Sequence, residues 1–359
     1  MCIIFKLIKA KWLFKKPNKK DILIYDSVNK AQFIFPKKNY ETLPVRYESI
    51  NIYVFCITFL TFGIRNFKNN YKKVFIKLVS PKIIYTEIDN NPAFYKLKEI
   101  YDKSIYISVQ NGMRNNKFYE KCRQYTKKKK KLKADHIFVF GKSEKERLLR
   151  IIDAKIHVVG NVFNNKFSIQ PKKLKKKIKS IMFISQYVLK NNPDLPYIKA
   201  KKEKQIFNYL IKFCEKKKIQ LNFLEKDKRL TESFFRNYFN KGNWIFHSKV
   251  NTEKTYKTLN KQQMVVFRFS TLGFEALAKG LKCASFNSYF PIKDNHIKYP
   301  KSGTFWSNST NYSDFEKTLN RVIGFSNKHW QKIVNKYSSE ILSYDPNNDK
   351  IKKVLKNIL

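Results

Sequence analysis

The stretch MVVFRFSTLGFEALAKGLKCASFN, Met264 to Asn287, decides the fold. Met264 to Phe269 is an apolar run with the length and the β-branched and aromatic content of a buried strand. Ser270 and Thr271 stand where a helix N-cap belongs, and Glu275 follows in the first turns. Phe274, Leu277, Ala278 and Leu281 repeat at helical spacing, Gly280 ends the helix, and Cys283 to Phe286 reads as the next strand. The order strand, turn, helix, strand makes a parallel βαβ unit. Its turn is small and polar, with backbone N–H groups that can meet an anion at a helix N-terminus. Taken alone, the unit also reads as an ordinary crossover in which Ser270 serves stability only.

The alternation continues on both sides. Upstream, Asp21 to Asp26, Pro44 to Tyr47, Lys82 to Asn91, Ile105 to Gly112, His136 to Ser143 and Ile156 to Asn161 read as strands. A helix is expected near Asn69 to Val79, and another opens at Pro92. Ser143 and Glu146 read as a capping box for a helix running to Ile152. Ile50 to Ile64 is apolar but too short for a confident membrane span, and is taken as a buried strand or helix. A lysine-rich stretch poor in core residues, 164–179, reads as a linker. Beyond it come strands at Ser180 to Gln186, Gln220 to Lys226 and Asn243 to Lys249, then the opening unit. Between them lie helices near Lys199 to Lys217, Thr231 to Phe239 and Glu253 to Leu259. About three helices close the chain after Tyr312. The expected fold class is α/β, with two Rossmann-like domains whose parallel sheets face each other across a cleft.

Composition bounds the function. A chain of 359 residues is long enough for two domains, and its 43% hydrophobic content rules out a disordered polymer. The formal charge of +48 invites a nucleic-acid reading, but only ten of the 75 basic residues are Arg. Lys occurs here with abundant Ile, Asn, Tyr and Phe, which share AT-rich codons, so coding bias accounts for much of it. No specific nucleic-acid partner is expected. A cationic surface that adheres to anionic headgroups or other polyanions is. The run Lys127 to Lys133 reads as a solvated helix end.

The five cysteines are scattered, with no C-x-x-C pair, so neither a zinc ribbon nor a disulfide framework is supported. The five histidines show no metal-ligand spacing, and no P-loop, G-x-G-x-x-G or G-x-S-x-G is present. Residues 1–18 mix Ile4, Leu7, Ile8 and Trp12 with Lys6, Lys9 and Lys16. They read as an amphipathic basic helix, lying either on a membrane surface or on the first domain.

In open parallel sheets ligands sit beyond the carboxyl ends of the strands. That rule selects Ser185 and Gln186, His247, and Arg268 to Gly273 in the second half. In the first half it selects Asp26, Glu87 to Asn90, and Asn111 with Gly112. Ser270 and Thr271 offer hydroxyls and backbone donors to a diphosphate, and Gly273 allows close approach. Glu275 suits the two hydroxyls of a ribose. Arg268 is placed either on a phosphate or in an ion pair. Asp89 is placed either as general base, with Glu87 as substitute, or as the cap of the helix at Pro92. Asn90, Asn111, Gly112 and Asp26 complete the first-half set.

Six segments in order carry a resemblance: KKDILIYD, YTEIDNNPAFYKL, ISVQNGMR, HIFVFGKSEKERL, HVVGNVFNN and FSTLGFEALAKG. Together they resemble the bacterial surface carbohydrate biosynthesis family, which is similar to glycosyltransferases of the two-Rossmann-domain (GT-B) type. The resemblance implies a first domain at 19–163 that takes the acceptor and a second at 180–325 that takes a nucleotide-sugar. Helices at 326–359 would close the chain or cross back. By position it puts phosphate on Ser270, Thr271 and Gly273, and ribose on Glu275. The expected activity is glycosyl transfer to a surface-polysaccharide or lipid-linked acceptor, with no metal and no cofactor. It would take place in the cytoplasm or on the inner face of the cytoplasmic membrane. A sugar-nucleotide 2-epimerase, a polyol-phosphate transferase and a non-enzymatic polyanion-binding protein remain as alternatives.

Overall fold

Two six-stranded sheets, each parallel throughout, form the framework of the protein. The computed structural model describes residues 10–26, 34–35, 40–45, 49–114, 116–126, 131–169, 178–187, 197–227, 229–239, 242–249, 251–286 and 302–358. Residues 1–9 of the expected N-terminal helix and 170–177 of the expected linker lie outside the described residues.

The first compact unit comprises residues 1–140 and 144–158. Its strands are β2 (Ile22–Tyr25), β3 (Tyr40–Leu43), β5 (Ile83–Thr86), β6 (Ile105–Val109), β7 (Leu132–Val139) and β8 (Ile152–Val158). They lie in the order β3-β2-β5-β6-β7-β8. A separate short pair joins β1 (Lys11–Leu13) to β4 (Ser49–Asn51) in parallel. The helices are α1 (Ile52–Phe62), α2 (Phe67–Val79), α3 (Pro92–Ile100), α4 (Asn116–Tyr125) and α5 (Lys142–Leu149). Strands β2 and β5, ILIY and IIYT, are buried along their whole length. An all-parallel sheet covered on both faces requires such continuous apolar runs.

The second unit holds residues 141–143 and 159–359. Its sheet is β11 (Trp244–His247), β10 (Gln220–Leu224), β9 (Ser180–Ile184), β12 (Met264–Phe267), β13 (Lys282–Phe286) and β14 (Trp306–Ser307), in that order. Its helices are α6 (Tyr197–Lys217), α7 (Glu232–Tyr238), α8 (Thr252–Asn260), α9 (Thr271–Ala278), α10 (Tyr312–Gly324), α11 (Asn327–Ile341) and α12 (Asp349–Lys356). Phe207 and Phe223 join Trp244 and Phe239 in an aromatic cluster with ring centroids 4.5 to 5.6 Å apart.

Several local expectations change. Lys11–Leu13 is a strand rather than part of a helix, because its backbone is taken up by pairing with β4. The second strand lies at Tyr40–Leu43; Pro44 and Val45 follow it outside any strand, and Arg46 and Tyr47 of the expected one lie outside the described residues. Helix α5 begins at Lys142, so Ser143 is inside it and is no cap, and Ile152 starts β8 instead of ending the helix. The boundary expected after residue 163 compares with a contact division between Val158 and Val159.

The turn after β8 is fastened to the C-terminal segment of the same unit. Asn165 Nδ2 donates to Val159 O at 3.0 Å and to Asn348 Oδ1 at 2.7 Å, and Asn348 Nδ2 returns to Val162 O at 2.9 Å. Gly160 sits at φ +74°, and a Cβ there would overlap the carbonyl of Ser343. Gly160→Ala combines a left-handed backbone with a clash against main chain, and should cost about 3 kcal/mol. Urea unfolding at matched pH measures it. A loss below about 0.5 kcal/mol, the scale of an ordinary surface change, would show that the turn yields.

Candidate functional site

Strand order locates one site in each unit. In the first, β2 is flanked by β3 and β5, so the chain reverses direction across the sheet between β2 and β5. In the second, the reversal falls between β9 and β12. At such switch points the loops diverge beyond the carboxyl ends and leave room for a ligand.

At the second switch point Phe267 pairs with Ile184, so the residues that follow, Arg268 and Ser185, emerge side by side. The buried Glu203 of α6 sets this turn. Its Oε1 accepts from Ser185 Oγ at 2.5 Å, Gln186 N at 2.9 Å and Tyr187 N at 3.1 Å. Its Oε2 faces Arg268 at 3.6 Å. Gln186 clamps the neighbouring loop, donating through Nε2 to Phe269 O and accepting from Phe269 N. Four expected residues, Ser185, Gln186, Arg268 and Ser270, therefore converge. Of the two placements for Arg268, the structure shows the ion pair.

Ser270 occupies the N-cap of α9 with extended backbone, but its side chain makes no capping hydrogen bond. The expected cap is thus absent, although the helix starts where the sequence placed it. Thr271 is the first helical residue. Gly273 has a packing use. A Cβ on it would overlap the ring of Phe267, so the glycine lets α9 pack on its own strand.

Glu275 is turned into the protein. It is 1% exposed, and both oxygens are engaged. Asn161 Nδ2 donates to Oε1 at 2.5 Å, Asn164 Nδ2 reaches both oxygens at 3.0 and 3.2 Å, and the Tyr256 hydroxyl donates to Oε2. The carboxylate ties the turn after β8 to α8 and α9. Burial raises its pKa above the ordinary 4.5, opposed by Lys279 and the two asparagine donors. Lys279, lowered to about 8 by burial, donates to Asn164 O at 2.9 Å and lies 4.1 Å from the Tyr256 ring centre.

His247 is half-buried and bonds within its own sheet. Its Nε2 lies 2.8 Å from Asn222 Oδ1, and burial lowers its pKa. The turn beyond it is fixed by Glu225, which accepts from Ser248 Oγ at 2.7 Å and Lys249 N at 3.1 Å.

In the first unit Asp89 is held by Arg114. The guanidinium Nε donates to Oδ2 at 2.9 Å and the second nitrogen to Oδ1, with both side chains buried. Asn111 N adds a bond to Oδ1 at 3.2 Å, and Asn111 Nδ2 donates to Glu87 O at 2.5 Å. Burial lowers Arg114 to about 10. The two-point contact holds the carboxylate in one orientation. Asp89 is not the helix cap, because Asn91 Oδ1 accepts from Ala93 N and caps α3. Glu87 is fully buried, Asn90 is exposed, and Asp26 sits at φ 61° at the end of β2. Gly112 O accepts from Gln110 Nε2 at 3.0 Å.

The comparisons with known proteins come on top of this geometry. The chain belongs to the family described as "putative O-antigen biosynthesis protein", whose model matches residues 107–359. No curated protein matches it in sequence. Three solved structures share the fold. UDP-GlcNAc 2-epimerase from Neisseria meningitidis, bound to UDP-GlcNAc, has a TM-score of 0.55 at 12% identity, covering 94% of this chain and 99% of that one. The Methanocaldococcus jannaschii UDP-GlcNAc 2-epimerase in complex with UDP-GlcNAc and UDP has a TM-score of 0.54 at 12% identity and the same coverage. Sucrose-phosphate synthase from Thermosynechococcus elongatus has 0.50 at 9% identity, again with 94% and 99% covered. At these identities the likeness establishes the fold, which is of the GT-B type.

Sequence reasoning missed Glu203, Glu225, Arg114, Asn161, Asn164, Tyr256 and Lys279. Four of them lay inside the segments that carried the resemblance, Arg114 in ISVQNGMR, both asparagines in HVVGNVFNN and Lys279 in FSTLGFEALAKG.

The raised pKa of Glu275 has a testable sign. The folded chain holds a proton there more tightly than the unfolded chain, so this contribution to stability is complete below 4.5 and is lost as pH rises through the raised value. Glu275→Gln removes the titration. Its unfolding free energy relative to wild type should improve as pH goes from acidic to neutral. A difference that stays flat with pH would show that the carboxylate is no harder to ionise in the folded chain.

Proposed function

We propose that the protein is a glycosyltransferase that moves a sugar from a nucleotide-sugar to a glycan or lipid-linked acceptor in surface-polysaccharide assembly. One observation carries the reading. Ser185, Gln186, Arg268 and Ser270 meet at the β9–β12 switch point, where α9 begins and the Ser270 side chain makes no cap. A helix start offers N–H groups and a partial positive charge to a diphosphate. Membership of an O-antigen family points to activated sugars as the substrate class. The neighbours crystallised with UDP-GlcNAc or UDP show that this fold can hold such a molecule.

In this proposal the departing nucleoside diphosphate is stabilised by the start of α9 and the hydroxyls of Ser270 and Thr271, so transfer needs no divalent ion and no cofactor. Asp89 and Glu87 stand at the carboxyl end of β5 as candidate bases for the acceptor hydroxyl, with Asn90, Asn111, Gly112 and Asp26 around them. The Arg114 pair fixes the orientation of Asp89. Glu275 reaches a ribose only if Asn164 or Tyr256 releases it; otherwise it acts through Asn161 and Asn164. Work at the inner face of the cytoplasmic membrane fits a lipid-linked acceptor. Among the described residues no helix is long and apolar enough to cross a membrane.

A thermal-shift screen of nucleotide-sugars, followed by assay of released nucleoside diphosphate with and without acceptor lipid extract, tests the reading. Ser270→Ala should weaken the stabilising nucleotide-sugar by about tenfold, the scale of one lost charge-assisted hydrogen bond. Turnover should persist in EDTA. Donor consumption without any acceptor would favour the epimerase, and release of a nucleoside monophosphate the polyol-phosphate transferase. Binding unchanged in Ser270→Ala would remove the start of α9 from the site.

A further inference from the structure

Helix α1 has the composition of a core helix and the exposure of a surface one. Nine of its eleven residues, IYVFCITFLTF, are apolar or aromatic, yet only Val54 and Thr58 are buried. A helix apolar on every side is normally enclosed by protein or lipid. Phe55 packs on Trp12 and Phe67, with ring centroids 6.0 and 5.0 Å apart, which fixes one side of the helix. On the other, Phe59 is 50% exposed, Leu60 83% and Ile64 82%, and Phe14 beside β1 is 77% exposed. Single exposed apolar residues need no explanation, but several large ones on one short element do.

The segments that carry them are of one charge sign. Residues 1–20 and 49–86 contain no Asp or Glu. Lys11, Lys15, Lys16, Arg65 and Lys68 are exposed beside the apolar residues. Lys16 Nζ lies 5.5 Å from the Tyr53 ring centre, so cation and aromatic ring share one edge of the patch. Helix α1 has eleven residues, about 16 Å of length, roughly half the hydrocarbon thickness of a bilayer. Such a helix can lie in the headgroup layer but cannot cross it.

We propose that α1, the Gly63–Ile64 turn and the β1 segment form a docking surface for an anionic lipid bilayer. Leu60, Ile64, Phe59 and Phe14 insert among the acyl chains, while Lys15, Lys16 and Arg65 meet the headgroups. The proposal deepens the membrane association given above and rests on that part of it, not on the transfer chemistry.

Flotation of the full chain with vesicles tests it, using equimolar phosphatidylglycerol and phosphatidylethanolamine against pure phosphatidylcholine. Wild type should float with the anionic vesicles and lose binding as salt rises. The double variant Leu60→Glu and Ile64→Glu changes exposed side chains, so its melting temperature should match wild type, while vesicle binding falls by about tenfold or more. A solvatochromic dye on the exposed Cys56, in a Cys2→Ser background, should shift to the blue on anionic vesicles. Equal flotation of wild type and double variant would overturn the docking surface and leave membrane association standing. No flotation of wild type on either vesicle would overturn both. Wild-type dimers in sedimentation velocity that the double variant abolishes, with no flotation, would assign the patch to a second copy of the chain and overturn the proposal.

Discussion

A carboxylate taken out of water must be given hydrogen-bond donors, and the loops that carry the proposed chemistry are shaped by that requirement. Desolvation of such an ion costs several kcal/mol unless donors or a cation replace its water. Glu203 gathers Ser185 and two backbone N–H groups, and Glu225 gathers Ser248 and one. Asp89 takes Arg114 and the Asn111 amide. Glu275 takes two asparagines and a tyrosine. Each arrangement pins a segment beyond a strand end, so the polar groups at the switch points are held in place before any ligand arrives. Preorganised donors of this kind cost no reorganisation when charge develops on a leaving group.

The same requirement explains which parts of the fold could be read in advance. Short continuous apolar runs such as MVVF, IIYT and SIMFI, bounded by turn residues and rich in β-branched side chains, announce buried parallel strands. The helix starts at Pro92 and Thr271 were equally plain. Side-chain partnerships were not, since they join residues far apart in sequence. Glu275 and Asn161 are separated by 114 positions and Asp89 and Arg114 by 25. Glu203 sits in KAKKEKQ, which looks like a solvated face. Its signal was helical phase: Ile206, Phe207 and Leu210 follow at intervals of three, four and seven, and all are buried. A carboxylate in register with that stripe has to enter the interior.

Local patterns also misled where tertiary packing overrode them. The Ser143–Glu146 spacing mimics a capping box, but α5 starts one residue before Ser143, whose hydroxyl lies 3.4 Å from Glu340. At Gly273 nothing in the sequence hints at the packing constraint, which is set by the ring of Phe267. The capping error came from assigning a polar residue to the nearest obvious use. What such a residue does depends on which atoms the rest of the fold brings against it.

Acid is scarce in this chain, and where it goes determines what basic residues can do. At least nine of the 27 acidic side chains are buried, leaving few to balance 75 basic ones outside. Buried lysines therefore rest largely on oxygen dipoles. Lys72 meets the Tyr25 hydroxyl, Lys279 a backbone carbonyl, and Lys282 two carbonyls, Ile323 O and Phe325 O, at the end of α10. A dipole holds a proton on the amine less firmly than a carboxylate would, and burial lowers all three pKa values. With 75 basic side chains against 27 acidic ones, charge alone is a poor guide to where an anionic ligand settles. On the proposed reading, position comes from geometry: from the polar start of α9, and from the exposed apolar side chains of α1.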